Sequence, residues 1–207
     1  MKYIEFKNEF SDIPIINILT LSSLFKNEIS LRSNINKWTK KKYLYRLKNN
    51  LYVFNENDAK IKVSRLFIAN NLYFPSYISL EYALYYYSFI PENVYEMTSI
   101  TTLKTKIFKN KFGIFSYTNI NKKLFFGITN IKDENNYNII IANPEKAILD
   151  FVYFRFFKRK KTEEIEEFIE KNRLQNLQLI NKKILGEYLK NYNERFKKEI
   201  NKIIKVN

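Results

Sequence analysis

The stretch Pro75–Thr102, PSYISLEYALYYYSFIPENVYEMTSITT, constrains the fold more than any other part of the chain. Nearly every side chain from Ser76 to Phe89 is apolar or aromatic, so no polar stripe can be drawn on a helical wheel. A helix apolar almost all round is a buried helix. Pro91 ends it, and Val94–Ile100 changes to strand-like composition. A buried helix feeding a strand is therefore expected at the centre of a core. The 207 residues are enough for such a core in one or two domains.

Inventory removes whole classes of chemistry. The chain has no Cys, hence no thiol nucleophile and no Cys-based zinc site. It has no His, hence no Ser-His-Asp triad and no imidazole ligand. Three glycines cannot make a Walker loop or a G-x-G-x-x-G turn. No cofactor is expected. The opening Met1-Lys2-Tyr3-Ile4-Glu5 alternates charge instead of running apolar, and no run of about 18 residues is free of charge. A cytoplasmic protein with no membrane partner is expected.

The net charge of +15 points to an anionic partner, although Lys, Asn, Ile, Tyr and Phe are also the residues favoured by AT-rich coding. The distribution is more telling than the total. Residues 30–53 carry seven basic groups and no acid, whereas elsewhere 29 basic residues face 21 acids.

Taken in order, Tyr3, Phe6 and Phe10 predict a short helix over 3–11, broken at Asp12-Ile13-Pro14. Ile18, Leu21, Leu24 and Phe25 predict a second, followed by a Lys26-Asn27 turn. A third starts at Ser30 as N-cap and buries Leu31, Ile35 and Trp38. Its opposite face carries Arg32, Ser33, Asn36, Lys37 and Lys40. Two strands follow, Tyr43–Leu47 and Leu51–Phe54, joined by Lys48-Asn49-Asn50, where Asn tolerates the positive φ of a tight turn.

Three short helices and a hairpin is the order of a winged helix-turn-helix, whose third helix enters the major groove while the hairpin lies along the backbone. Asn can bridge adenine N6/N7, Arg and Lys can reach guanine, and Ser can read several edges. Flanking cations neutralise phosphates. The DNA-binding residues on this reading are Arg32, Ser33, Asn36, Lys37, Lys40, Lys41, Arg46, Lys48 and Asn49. A solvated basic face on an ordinary helical domain is the plainer alternative.

Asn55-Glu56-Asn57-Asp58 is the expected joint between domains at 1–57 and 58–207. A helix is predicted over 59–73, leading into Pro75–Thr102. Strands are predicted at Ile107–Phe108, Gly113–Tyr117, Leu124–Ile128 and Tyr137–Ile141. Asn143-Pro144-Glu145-Lys146 then starts a helix, with Asn as cap, Pro at the first position and Glu in the positive first turn. Lys158-Arg159-Lys160-Lys161 reads as a charged hinge, after which Thr162 caps a helix burying Ile165, Phe168 and Ile169. Leu177–Tyr192 and Glu194–Val206 are two further amphipathic helices. The expected class is α+β: a winged helix-turn-helix, a mixed helix/antiparallel-sheet domain over 58–157, and a helical tail over 158–207.

Two constellations have a functional and a structural reading. Glu145, Lys146 and Asp150, with Glu81, have the composition of a metal-dependent nuclease site. The structural reading, which is preferred, puts Glu145 at a helix N-terminus and pairs Glu81 with a cation, leaving no catalytic residue. Tyr82, Tyr85, Tyr86 and Tyr87 can stack bases; inside so apolar a run, core filling is preferred.

The wording then becomes familiar. W-x-K-K-x-Y-L-x-R-L-K-x-x-L-Y-V (Trp38 to Val53) resembles the wing region of AbiEi-type antitoxins of bacterial abortive-infection systems. Further stretches are similar in content, order and spacing: I-A-N-x-L-Y-x-P-S-Y-I-S-L-E-Y-A-L (Ile68 to Leu84), I-P-E-x-V-Y-x-M-T-S-I-T-T (Ile90 to Thr102), F-G-x-F-x-Y (Phe112 to Tyr117), F-F-G-I (Phe125 to Ile128) and I-A-N-P-E-K-A-I-L-D (Ile141 to Asp150). The resemblance covers roughly residues 30–155. It implies a winged helix that binds inverted repeats in its own promoter and represses the operon. It also implies a C-terminal domain that counteracts a cognate nucleotidyltransferase-like toxin, without direct binding being assumed; an interaction module that binds and blocks the toxin is the alternative. The family has a basic residue and then Gly at the wing turn, where this chain has Asn49 and Asn50, so one expected phosphate contact is lost. A nucleotidyltransferase partner would also make the hydroxyls of Thr98, Ser99, Thr101 and Thr102 candidate acceptors for modification.

Overall fold

The computed structural model describes residues 1–25, 27–158 and 165–205, and its class is α+β. The chain begins α1 (Tyr3–Phe10), β1 (Ile16–Asn17), α2 (Ile18–Ser22), α3 (Glu28–Lys40), β2 (Leu44–Lys48) and β3 (Leu51–Phe54). The strands form a three-stranded antiparallel sheet in the order β1-β3-β2. Phe6, Ile18, Leu31, Ile35, Trp38, Leu44, Tyr52 and Phe54 belong to one apolar cluster beneath the helices. Successive strand residues point to opposite faces, so Leu47, Leu51 and Val53 leave that cluster and join a second, larger one. The hairpin is thus packed on both sides, and every residue of β3 is buried. Asp58 closes this region by accepting from Tyr3 Oη at 2.6 Å and Lys7 Nζ at 2.6 Å.

The larger cluster surrounds a six-stranded sheet. Its elements are α4 (Arg65–Leu72), β4 (Ser76–Ile78), α5 (Leu80–Tyr86), β5 (Met97–Thr101), β6 (Lys106–Asn110), β7 (Gly113–Asn119), β8 (Ile128–Lys132), β9 (Asn138–Ala142) and α6 (Pro144–Val152), followed by a π-helical turn at Tyr153–Phe157. The strand order is β6-β7-β5-β4-β9-β8. Then come α7 (Ile165–Lys171), α8 (Lys182–Leu189) and α9 (Glu194–Lys205). Asn70 ties α4 to the sheet like a surrogate strand, donating to Ile140 O at 3.1 Å and accepting from Ile140 N at 2.6 Å.

Several expectations need correction. The sheet is mixed: β5–β7 and β4–β9 are parallel. Hairpin-like spacing says nothing about which non-consecutive strands become neighbours. The run from Ser76 to Phe89 is not one buried helix, because its first three residues form β4 in the middle of the sheet. The helix buried along nearly its whole length is α6, from Glu145 to Val152. Its N-cap is Asn143, which accepts from Lys146 N at 2.9 Å, with Pro144 at the first position as expected.

The third helix is capped by Asn27, whose side chain accepts from Ser30 N at 2.9 Å, so Ser30 lies inside the helix. The helix expected from residue 59 starts only at Arg65, because Ser64 accepts from Phe67 N and fixes the N-terminus there. Leu124 ends a short 3-10 turn, and β8 begins at Ile128. Between them Gly127 has φ +69, and a Cβ there would meet Lys146 Cβ at 2.8 Å. The single helix expected over Leu177–Tyr192 is interrupted, since Asn181 caps a new helix through Lys183 N and Ile184 N. Lys26, most of the charged hinge, Thr162 and Val206 lie outside the described residues.

Candidate nucleic-acid interface

The face of α3 opposite Leu31, Ile35 and Trp38 exposes Ile29, Ser33, Asn36, Lys37 and Lys40. Lys37 and Lys40 stand in the last turn, where the helix dipole favours cations. Lys41 follows as the exposed C-cap, and Lys42, at φ +60, turns the chain into β2.

The hairpin tip approaches the same helix. Asn50 takes the left-handed conformation, φ +64, which Asn tolerates better than most residues. Its carbonyl accepts from Ile18 N at 2.9 Å and its side-chain oxygen from Arg32 Nη1 at 3.0 Å. Arg46 donates to the Asn49 side chain across the turn. Arg32, Asn36, Arg46, Asn49 and Asn50 consequently line one cleft of about 280 Å³, with no acid among its lining residues. The nearest acid on the helix, Glu28, is held by Arg32 at 2.7 Å.

Of the nine residues expected to meet DNA, Lys48 points elsewhere. Its ammonium donates to Leu72 O and lies 5.9 Å from the centre of the Phe108 ring. Burial, and then the neighbouring Lys106, push its pKa down. It lines a second cleft of about 590 Å³ with Arg46, Asn49, Tyr73, Lys106, Phe108 and Lys109. Arg46 and Asn49 line both clefts, so the two meet at the hairpin tip. Lys106 and Lys109 were missed from the sequence. The available signal was the charge density of the edge strand KIFKN, since lysines commonly mark exposed sheet edges.

Of the carboxylate–lysine constellation, Glu145, Lys146 and Asp150 are closed in by packing. Asp150 is fully buried and accepts from Lys146 Nζ at 2.6 Å, Ser79 Oγ at 2.8 Å and Tyr77 Oη at 2.9 Å. Lys146 also donates to Tyr192 Oη at 3.0 Å, and Glu145 accepts from Asn181 N at 2.8 Å. Glu81 is elsewhere, in a groove of about 630 Å³ and engaged by Nε and Nη2 of Arg155, which raises the Arg155 pKa. Among the described residues no group of three or more carboxylates is placed to hold a metal.

Thr98 is buried and substitutes for a cap on α5, accepting from Tyr82 N at 3.0 Å and donating to Ser79 O at 2.6 Å. Thr101 is likewise buried and donates to Pro75 O at 2.7 Å, while Ser99 is buried on the same strand. Core filling fails for Tyr85 and Tyr86, which are exposed, while Tyr82 and Tyr87 are half-buried. Tyr87 donates to Ala142 O at 2.9 Å, and burial pushes its pKa up to about 12. No helix among the described residues is long and apolar enough to cross a membrane. No protein-family model matches the chain, and no curated protein matches it.

Proposed function

We propose that this chain binds duplex DNA through α3 and the β2–β3 hairpin, used as a winged helix-turn-helix, and represses its own operon. One observation carries this reading. The exposed face of α3 and the hairpin tip share an acid-free cleft lined by Arg32, Asn36, Arg46, Asn49 and Asn50. Asn36 has base-edge chemistry, whereas Lys37, Lys40 and Lys41 suit phosphates. The second cleft adds Lys106 and Lys109 within reach of a duplex lying against the hairpin tip.

The resemblance to AbiEi-type antitoxins extends the proposal. The N-terminal region to residue 57 is the DNA reader, and residues 58–207 counteract a nucleotidyltransferase-like toxin in the cytoplasm. Direct binding and blocking of that toxin is the second reading. It is favoured by the exposed tyrosines Tyr85, Tyr86 and Tyr95, because tyrosine is enriched in protein interfaces.

The test is titration of the purified chain onto duplex DNA from upstream of its own gene. Binding is expected to fall steeply between 50 and about 200 mM salt. Asn36→Ala should change which sequences are preferred, and Lys41→Ala should weaken all of them evenly. Salt-insensitive binding, or none, would reject the DNA reading.

A further inference from the structure

Ile29 is 81% exposed, more than any other large hydrophobic side chain among the described residues. A lone exposed apolar residue is ordinary on a protein surface. Its position here is not. On α3, Ser33, Asn36 and Lys40 follow it at i+4, i+7 and i+11, so Ile29 stands on the axis of the exposed face. It occupies the second position of a 13-residue helix. The N-terminal residues of a recognition helix are the ones that reach base edges. Its polar neighbours are accounted for: Glu28 and Arg32 pair with each other, and Arg32 also holds Asn50.

On that face Ile29 is the residue that can neither donate nor accept a hydrogen bond nor neutralise a phosphate. The base-edge feature of the major groove that suits an aliphatic side chain is the C5-methyl group of thymine. Resting on the proposed DNA reading, we infer that Ile29 is a specificity-determining residue that packs against a thymine methyl beside the bases contacted by Ser33 and Asn36. Removing such a contact forfeits the burial of about one methyl group, about 0.8 kcal/mol or about fourfold in affinity.

The experiment selects binding sites from a random duplex library with the wild-type chain. Each thymine of the enriched site is then replaced in turn by deoxyuridine, which deletes only the methyl. At one thymine per half-site the wild type should lose about fourfold. Ile29→Ala should already be about fourfold weaker on the thymine duplex and should lose nothing more on the uracil duplex. Ile29→Val should fall between them. Alanine favours helix more than isoleucine does, so the variant is expected to stay folded, as circular dichroism will check.

The inference is overturned if no thymine couples to Ile29, or if wild type and Ile29→Ala lose equally at every thymine. It is also overturned if Ile29→Ala changes the sedimented mass of the free protein without any coupling. That result would make Ile29 part of a protein contact with the exposed Leu24 and Leu19. Enrichment without coupling rejects this inference alone; failure to enrich any duplex rejects the DNA reading as well.

Discussion

At the scale of single residues, Asp150 shows how one environment changes the meaning of a carboxylate. It accepts from three donors, and the burial of Tyr77, followed by the Asp150 charge, holds the Tyr77 pKa well above the ordinary range. Asp150→Ala should cost about 3–5 kcal/mol in urea unfolding, because it strands the Lys146 ammonium in an apolar interior. The double variant Lys146→Met/Asp150→Leu should recover only part of that loss, because it removes the stranded charge but leaves the hydroxyls of Tyr77 and Ser79 without their acceptor and that of Tyr192 without its donor. Asp58 behaves differently. Burial alone would raise its pKa, but the bonds from Lys7 and Tyr3 outweigh burial and hold it below the ordinary carboxylate range. A depressed folded-state pKa contributes stability that is complete above the unfolded value and lost as pH falls through the folded one. Wild type should therefore exceed Asp58→Asn by about 1 kcal/mol at neutral pH. The difference should close below the ordinary carboxylate range in denaturation curves taken across acid pH.

At the scale of elements, the periodicity of α3 was legible because one face is polar, although its cap is Asn27 and not Ser30, and the start of the buried α6 was legible from its cap. The buried face of α3 and the Asn143-Pro144 start of α6 are read from local spacing alone. The run from Ser76 to Phe89 was not, because a continuous apolar segment has the same pattern as a buried strand or a buried helix. Its division depends on β4 pairing between β5 and β9, and on Thr98 meeting the start of α5. The hairpin turn offers a test at this scale. Asn50→Ala should destabilise by about 1 kcal/mol, because alanine resists φ +64 and cannot accept from Arg32. Asn50→Gly relieves the backbone but not the lost bond, so the difference between their unfolding midpoints separates turn geometry from the tie to α3.

At the scale of the whole molecule, the basic surface is assembled from distant parts of the chain. Lys106 and Lys109 lie about sixty residues beyond Arg46 yet share its cleft. On the proposed DNA reading, Lys106→Ala/Lys109→Ala should reduce the slope of log affinity against log salt by about 1.8, at about 0.9 per phosphate contact, without altering which sequence is preferred. An unchanged slope would separate the second cleft from DNA. The sequence by itself determined the exposed face of α3, the Asn-rich turn after it and the exclusion of imidazole and thiol chemistry, because inventory and a 3.6-residue period are local properties. Only the tertiary structure decided that Lys48 turns to Leu72 and Phe108, that Lys106 and Lys109 stand beside Arg46, and that Asp150 and Lys146 seal each other. Those outcomes depend on which strands become neighbours and which charges are cut off from water, and both are decided by contacts between residues far apart in the chain.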